Sequence, residues 1–212
     1  MSNRTTPSAA KAPLRIGVLY EETQMSDLTG LDILGNCSSR MLDLGAAGGV
    51  PGADILAPLA VPMEFFYICS DTEKSWTSPD MHVRATHTYE DAPRDLDILL
   101  LGGPNPMTVS DASLTFLKEA ALKTKFILTT CTGGMWLARS GVLDGKKATT
   151  NRMMLETAKQ AMPSVEWQDV KWVSDQGLFE GAEIWTAGGA GCGEYDLFSL
   201  RVHSFEIKLI HD

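Results

Sequence analysis

The chain has 212 residues, a hydrophobic fraction of 44% and a formal net charge of −9. That length suits one domain with a sizeable core, and the acidic balance argues against a nucleic-acid partner, whose phosphates call for clustered lysine and arginine. No apolar run approaches the ~20 residues of a membrane span, and Met1 to Pro13 lacks an apolar signal region, so a mobile N-terminal tail and a cytoplasmic protein without membrane attachment are expected.

Leu14 to Tyr20 reads as a first, mostly buried strand. A turn from Glu21 to Ser26 leads to a helix near Asp27, with Leu28, Leu31, Leu34 and Leu42 on one apolar face. Asp43 to Pro62 is rich in Gly, Ala and Pro and reads as a loop, long enough to suggest a functional or interface role. Met63 to Cys69 is the next strand, and Trp76 to His87 a small hairpin. Leu96 to Leu101 is an apolar run emptying into Gly102-Gly103-Pro104, the pattern of a buried parallel strand. Ser110 is placed to cap a helix reaching Leu122. Phe126 to Thr130 forms a further strand that stops at Cys131, and a helix from about Gly134 to Arg139 ends at Gly141. Lys147 to Thr150 is extended and Met153 to Met162 helical. Short strands around Val170 to Val173 and Glu183 to Thr186 flank Gln176-Gly177, and Gly188 to Gly193 opens a last helix. The alternation predicts an α/β domain over residues 14–212, a mostly parallel sheet sandwiched by helices.

In such sheets ligands sit beyond the carboxyl ends of the strands. Three features fall there: the turn before Asp27, Gly102-Gly103 and Cys131. Thr130-Cys131-Thr132-Gly133-Gly134 runs an apolar strand into a cysteine, with two glycines where a helix must begin. This is the backbone logic of a nucleophile elbow with sulfur in place of oxygen, and the helix N-terminus favours the thiolate. A buried cysteine is equally a small hydrophobe at a strand end. Asp27 reads either as a helix cap or as a proton-handling carboxyl facing the thiol. Gly102-Gly103 reads as a plain turn or as backbone amides for an oxyanion.

The other three cysteines, Cys37, Cys69 and Cys192, are scattered, which fits neither zinc spacing nor a disulfide framework. The histidines His82, His87, His203 and His211 show no metal spacing, so no metal is expected. Gly188 to Gly193 fails the dinucleotide-loop template, and Trp76, Trp136 and Trp185 read as core or pocket wall.

Together these segments resemble the ThiJ/PfpI superfamily. The matching stretches are Ile16 to Leu19, Asp27 to Gly30, Asp97 to Gly103, Thr130 to Gly133, Ala138 to Thr150 and Ile184 to Gly189, in the family's order. The resemblance implies a flavodoxin-like fold, a homodimer and a cofactor-independent reaction. Asp-Leu-Thr-Gly at Asp27 and Cys-Thr at the elbow look most like the isocyanide hydratase branch. By that resemblance Cys131 attacks an electrophilic carbon, Asp27 is the general acid/base and Thr132 helps hold the reacting group. Gly102, Gly103 and Gly133 would line the substrate and oxyanion site. The protease-like branch has histidine after the nucleophile, where this chain has Thr132, so peptidase activity is not expected. Asn151 stands where many relatives carry histidine. Alternatives are a redox sensor with an oxidisable Cys131, a glyoxalase or deglycase, and a tailoring lyase or cyclase in specialised metabolism.

Overall fold

The computed structural model of the protein describes residues 12–73 and 76–191, the side chain of Trp76 excepted. The expected tail up to Lys11, the last helix past Gly191, Cys192, His203, His211 and the C-terminal stretch from Leu197 lie outside the described residues. Six strands form the main sheet: β1 (Leu14–Leu19), β2 (Met63–Ile68), β3 (Ile98–Leu101), β4 (Phe126–Thr130), β5 (Trp172–Gln176) and β6 (Glu183–Ala187). Their order is β5-β6-β4-β3-β1-β2. All neighbours are parallel except β5, which runs antiparallel to β6 at one edge. Two short strands, Trp76–Ser78 and Met81–His82, make the expected hairpin.

The β3 strand shows why the sheet is covered on both faces. Ile98, Leu99, Leu100 and Leu101 are all buried, and successive side chains leave opposite faces. Leu99 and Leu101 join Ile127, Phe116, Trp136 and Leu155 under α4 (Asp111–Ala121), α5 (Gly133–Arg139) and α6 (Leu155–Ala161). Ile98 and Leu100 join Ile16, Val18, Leu128 and Trp185 on the other face, where Leu28, Leu31 and Leu34 pack. Burying one such side chain stabilises by roughly 1.5–3 kcal/mol. Ser110 caps α4 as expected, its hydroxyl accepting the Ser113 N–H at 3.2 Å.

The helix expected near Asp27 is three pieces: a 3₁₀ turn (Met25–Leu28), α1 (Gly30–Gly35) and α2 (Ser39–Ala47). Ser38 is extended, and its hydroxyl accepts the Met41 N–H, starting a new helix. Leu42 therefore belongs to α2, apart from Leu28, Leu31 and Leu34. The segment read as a loop to Pro62 is mostly helical as well, with α3 (Ala53–Leu56) and a 3₁₀ turn (Ala57–Leu59). Gly52, at φ 83°, opens α3 with a left-handed turn that glycine adopts without strain. Met41, Leu44, Val50, Ile55, Leu56 and Leu59 stay exposed along this excursion.

Candidate active site

The chain turns from β4 into α5 at Cys131, whose φ is 55°. A left-handed conformation is strained for any residue with a Cβ, by roughly 1–2 kcal/mol. The turn persists because its neighbours leave it no room. A Cβ on Gly133 would lie 2.8 Å from the Gly102 carbonyl oxygen and 2.9 Å from that of Leu101. One on Gly134 would lie 2.6 Å from the Thr149 carbonyl oxygen. The two glycines therefore let α5 begin flush against the ends of β3 and β4. Gly133→Ala is expected to destabilise the fold by about 1–3 kcal/mol, since backbone must move to admit the methyl group; urea melts measure this.

Asp27 arrives from the 3₁₀ turn after β1 and is buried. It caps no helix: Gln24 opens its 3₁₀ turn and Thr29 opens α1. Its Oδ2 instead accepts the Gly103 N–H at 3.2 Å, and its carbonyl accepts the Thr130 hydroxyl at 3.1 Å. Burial pushes the carboxyl up to about 6, with the Gly103 hydrogen bond pulling the other way. A carboxyl poised there can both give and take a proton near neutral pH.

Gly103 is the joint of the site. A Cβ on it would meet Thr132 Oγ1 at 2.7 Å, Thr132 N at 2.8 Å and Cys131 Cβ at 3.0 Å. The glycine thus lets the loop carrying Asp27's hydrogen bond lie against the Cys131 turn. Its own amide is engaged by Asp27, and the Gly102 amide donates to the Leu19 carbonyl at 3.1 Å. Neither amide stands open to a developing anion, so both glycines serve close packing. The Thr132 hydroxyl likewise donates to the Pro104 carbonyl at 2.6 Å, tying that loop to the turn. What Thr132 still offers a reacting group is its backbone N–H, at the N-cap of α5, where no intrahelical carbonyl precedes it.

The hydrogen bond to the Cys131 sulfur comes not from Asp27 but from Asn151, whose Nδ2 lies 3.2 Å away. Asn151 Oδ1 accepts the Met153 N–H at 3.0 Å, which fixes the orientation of the amide. The sequence showed this position only as the place of a missing histidine. The Ala-Thr-Thr stretch that precedes it was the signal available.

The remaining candidates play other parts. Cys69 is buried and its thiol is pushed up to about 11, first by burial and then by the nearby Glu21 carboxylate, so it is a poor nucleophile at neutral pH. Trp136 is fully buried and donates to Ser113 Oγ at 3.0 Å, and Trp185 stacks on Trp172 with ring centroids 5.3 Å apart. Asp27, Leu28, Leu31, Leu100, Leu128 and Thr130 line a narrow apolar slot. Between the loops after β1 and β3, where the chain's winding reverses, Glu21, Ser70, Asn105 and Thr108 border a cavity of about 250 Å³. Among the described residues no three His, Cys, Asp or Glu side chains cluster as a metal site, and no helix is long and apolar enough to cross a membrane.

Comparison with known proteins agrees with this fold. The sequence profile described as the DJ-1/PfpI family matches residues 56–189. The chain is 28% identical over 179 residues to an isonitrile hydratase of Pseudomonas putida, covering 82% of this chain and 67% of that protein. Among solved structures, a ThiJ/PfpI family protein of Pseudomonas syringae superposes with a TM-score of 0.67 at 16% identity, over 94% of this chain and 72% of that one. DJ-1 of Schizosaccharomyces pombe gives 0.61 at 15% identity, over 90% and 91%.

Proposed function

The chain belongs to the DJ-1/PfpI family, and we propose that it is a cofactor-independent cysteine enzyme that hydrates a small isocyanide to the N-substituted formamide. The observation that carries this reading is the Asp27 carboxyl, held near 6 and bonded through Gly103 to the backbone packed against Cys131. The reaction needs a nucleophile, an acid and then a base at one carbon, and these two side chains supply all three roles. Similarity to an isonitrile hydratase supports the choice of substrate class.

In this reading the Cys131 thiolate forms a C–S bond to the terminal carbon, and the Asp27 carboxyl delivers a proton to that carbon. The product is a thioimidate on the enzyme. The Asp27 carboxylate then takes a proton from water as the oxygen adds to the same carbon, and passes it to the nitrogen. The new hydroxyl gives its remaining proton back to the Asp27 carboxylate as the intermediate collapses. The C–S bond breaks, the sulfur leaves as thiolate, and the released formamide contains the substrate plus one water. The Thr132 N–H, at the start of α5, steadies negative charge as it develops. Because Thr132 places no imidazole beside the sulfur, peptide hydrolysis is not proposed.

The test is a rate panel of alkyl and aryl isocyanides, methylglyoxal and casein with purified protein. Formamide production from at least one isocyanide is expected, with no cleavage of casein. Lactate formed from methylglyoxal without any formamide would reassign the site to glyoxalase chemistry. Casein cleavage that depends on Cys131 would reassign it to the peptidases.

A further inference from the structure

We propose that Asn151 is a catalytic residue that holds the Cys131 sulfur as thiolate by donating a hydrogen bond from a group that cannot itself titrate. The inference rests on Cys131 being the nucleophile, as in the proposed function, and adds how its charge is kept. Asn151 Nδ2 lies 3.2 Å from the sulfur, short for a nitrogen donor to so large an acceptor. The amide cannot turn its oxygen to the sulfur without losing the Met153 N–H bond at 3.0 Å. The segment is also clamped to the cysteine's own backbone. The Thr150 hydroxyl and the Asn151 N–H both donate to the Cys131 carbonyl, at 2.9 and 3.3 Å. Just before it, the Thr149 N–H donates to Thr186 Oγ1 at 2.8 Å, fixing the stretch to β6. The donor is therefore pre-aimed, and a hydrogen bond to an ionised acceptor is worth more than one to a neutral thiol.

Among the described residues, the hydrogen bond to the sulfur comes from Asn151. β3 and β4 carry no ionisable group, since they read Ile98 to Leu101 and Phe126 to Thr130. The single charged residue of α5 is Arg139, in its last turn, which donates to the Pro106 carbonyl. Arg152 follows Asn151 but pairs with Asp169 at 3.1 Å in an exposed position. From the segment after β1, Asp27 accepts the Gly103 N–H, and Glu21 is taken up by Ser70 and the Tyr89 hydroxyl. A histidine in place of Asn151 would take up a proton as the thiol lost one. The asparagine offers the sulfur a donor that stays neutral.

The experiment measures the pH dependence of iodoacetamide alkylation at Cys131, followed by peptide mass mapping, in wild type, Asn151→Ala and Asn151→Asp. Sulfur displaces iodide in this probe, so the rate follows the thiolate fraction and needs no isocyanide. The alkaline midpoint is expected to move up by about one unit in Asn151→Ala, a tenfold slower reaction on the low-pH limb. It is expected to move further in Asn151→Asp, where a carboxylate oxygen faces the sulfur. Aspartate keeps the acceptor for the Met153 N–H, so that variant shows, even if the alanine variant misfolds, whether the sulfur feels the group at this position. An unchanged midpoint in either folded variant overturns the proposal. That outcome is distinct from failure of the hydratase reading, which would leave the thiol titration intact and remove only formamide production.

Discussion

Cys131→Ala is expected to abolish isocyanide hydration, with kcat/KM at least ~10⁴-fold below wild type. A covalent route has no substitute once its nucleophile is gone. The drop corresponds to about 5.5 kcal/mol of transition-state stabilisation, at ~1.36 kcal/mol per tenfold. Alanine preserves the Cβ that packs against Gly103 and the left-handed turn, so circular dichroism and melting temperature should change little. Serine at the same place should rescue almost nothing, because its hydroxyl is far harder to ionise than a thiol. Wild type quenched during turnover should carry the mass of one isocyanide on the peptide containing Cys131. Turnover above one tenth of wild type in a well-folded Cys131→Ala protein would exclude the sulfur as nucleophile.

Asp27→Asn is expected to lower kcat by roughly 10²–10³-fold while raising thermal stability at neutral pH. The two effects have one cause. Burial lifts the carboxyl from 3.8 to about 6, so between those values the folded protein holds a proton that the unfolded chain has released. Stability from this group is therefore highest below pH ~4, falls as pH rises through that window, and levels off above ~6. The charged form costs on the order of 2 kcal/mol at pH 7, once solvent screening of the carboxyl is allowed for. Asparagine removes the charge but keeps an oxygen for the Gly103 N–H, so much of that cost should vanish. The stability gap between variant and wild type should accordingly close on acidification to pH ~4. Activity of the wild type should change across the same region, with a kinetic inflection near 6 that the variant lacks. A variant that is less stable at pH 7 yet fully active would mark Asp27 as a structural acceptor for Gly103 alone.

Much of the fold was legible because the relevant signals are local. The unbroken apolar runs at Ile98 to Leu101 and Phe126 to Thr130 announced buried strands, and Ser110 announced the start of α4. The region after Asp27 was misjudged for a local reason too. Leucine spacing carried a single helix through Asn36-Cys37-Ser38, where an extended serine in fact caps a new one. The helical character of Ala53 to Leu59 escaped because Gly and Pro dominate its flanks, and the tertiary contacts of short helices outweigh propensity.

The sequence by itself determined that strands end at Asp27's turn, at Gly102-Gly103 and at Cys131, because hydrophobic period and turn residues act over a few neighbouring positions. Which atoms meet at those ends was decided only by the tertiary structure. Gly103 lies 76 positions from the carboxyl it bonds, and Asn151 lies 20 positions from the sulfur. No local pattern shows that the amides of Gly102 and Gly103 are already engaged, that the Thr132 hydroxyl is given to Pro104, or that an asparagine amide is the donor at the thiol. Hydrogen-bond partners are assigned by which groups burial leaves within about 3 Å of each other, and that competition is settled only when the sheet and its loops close together.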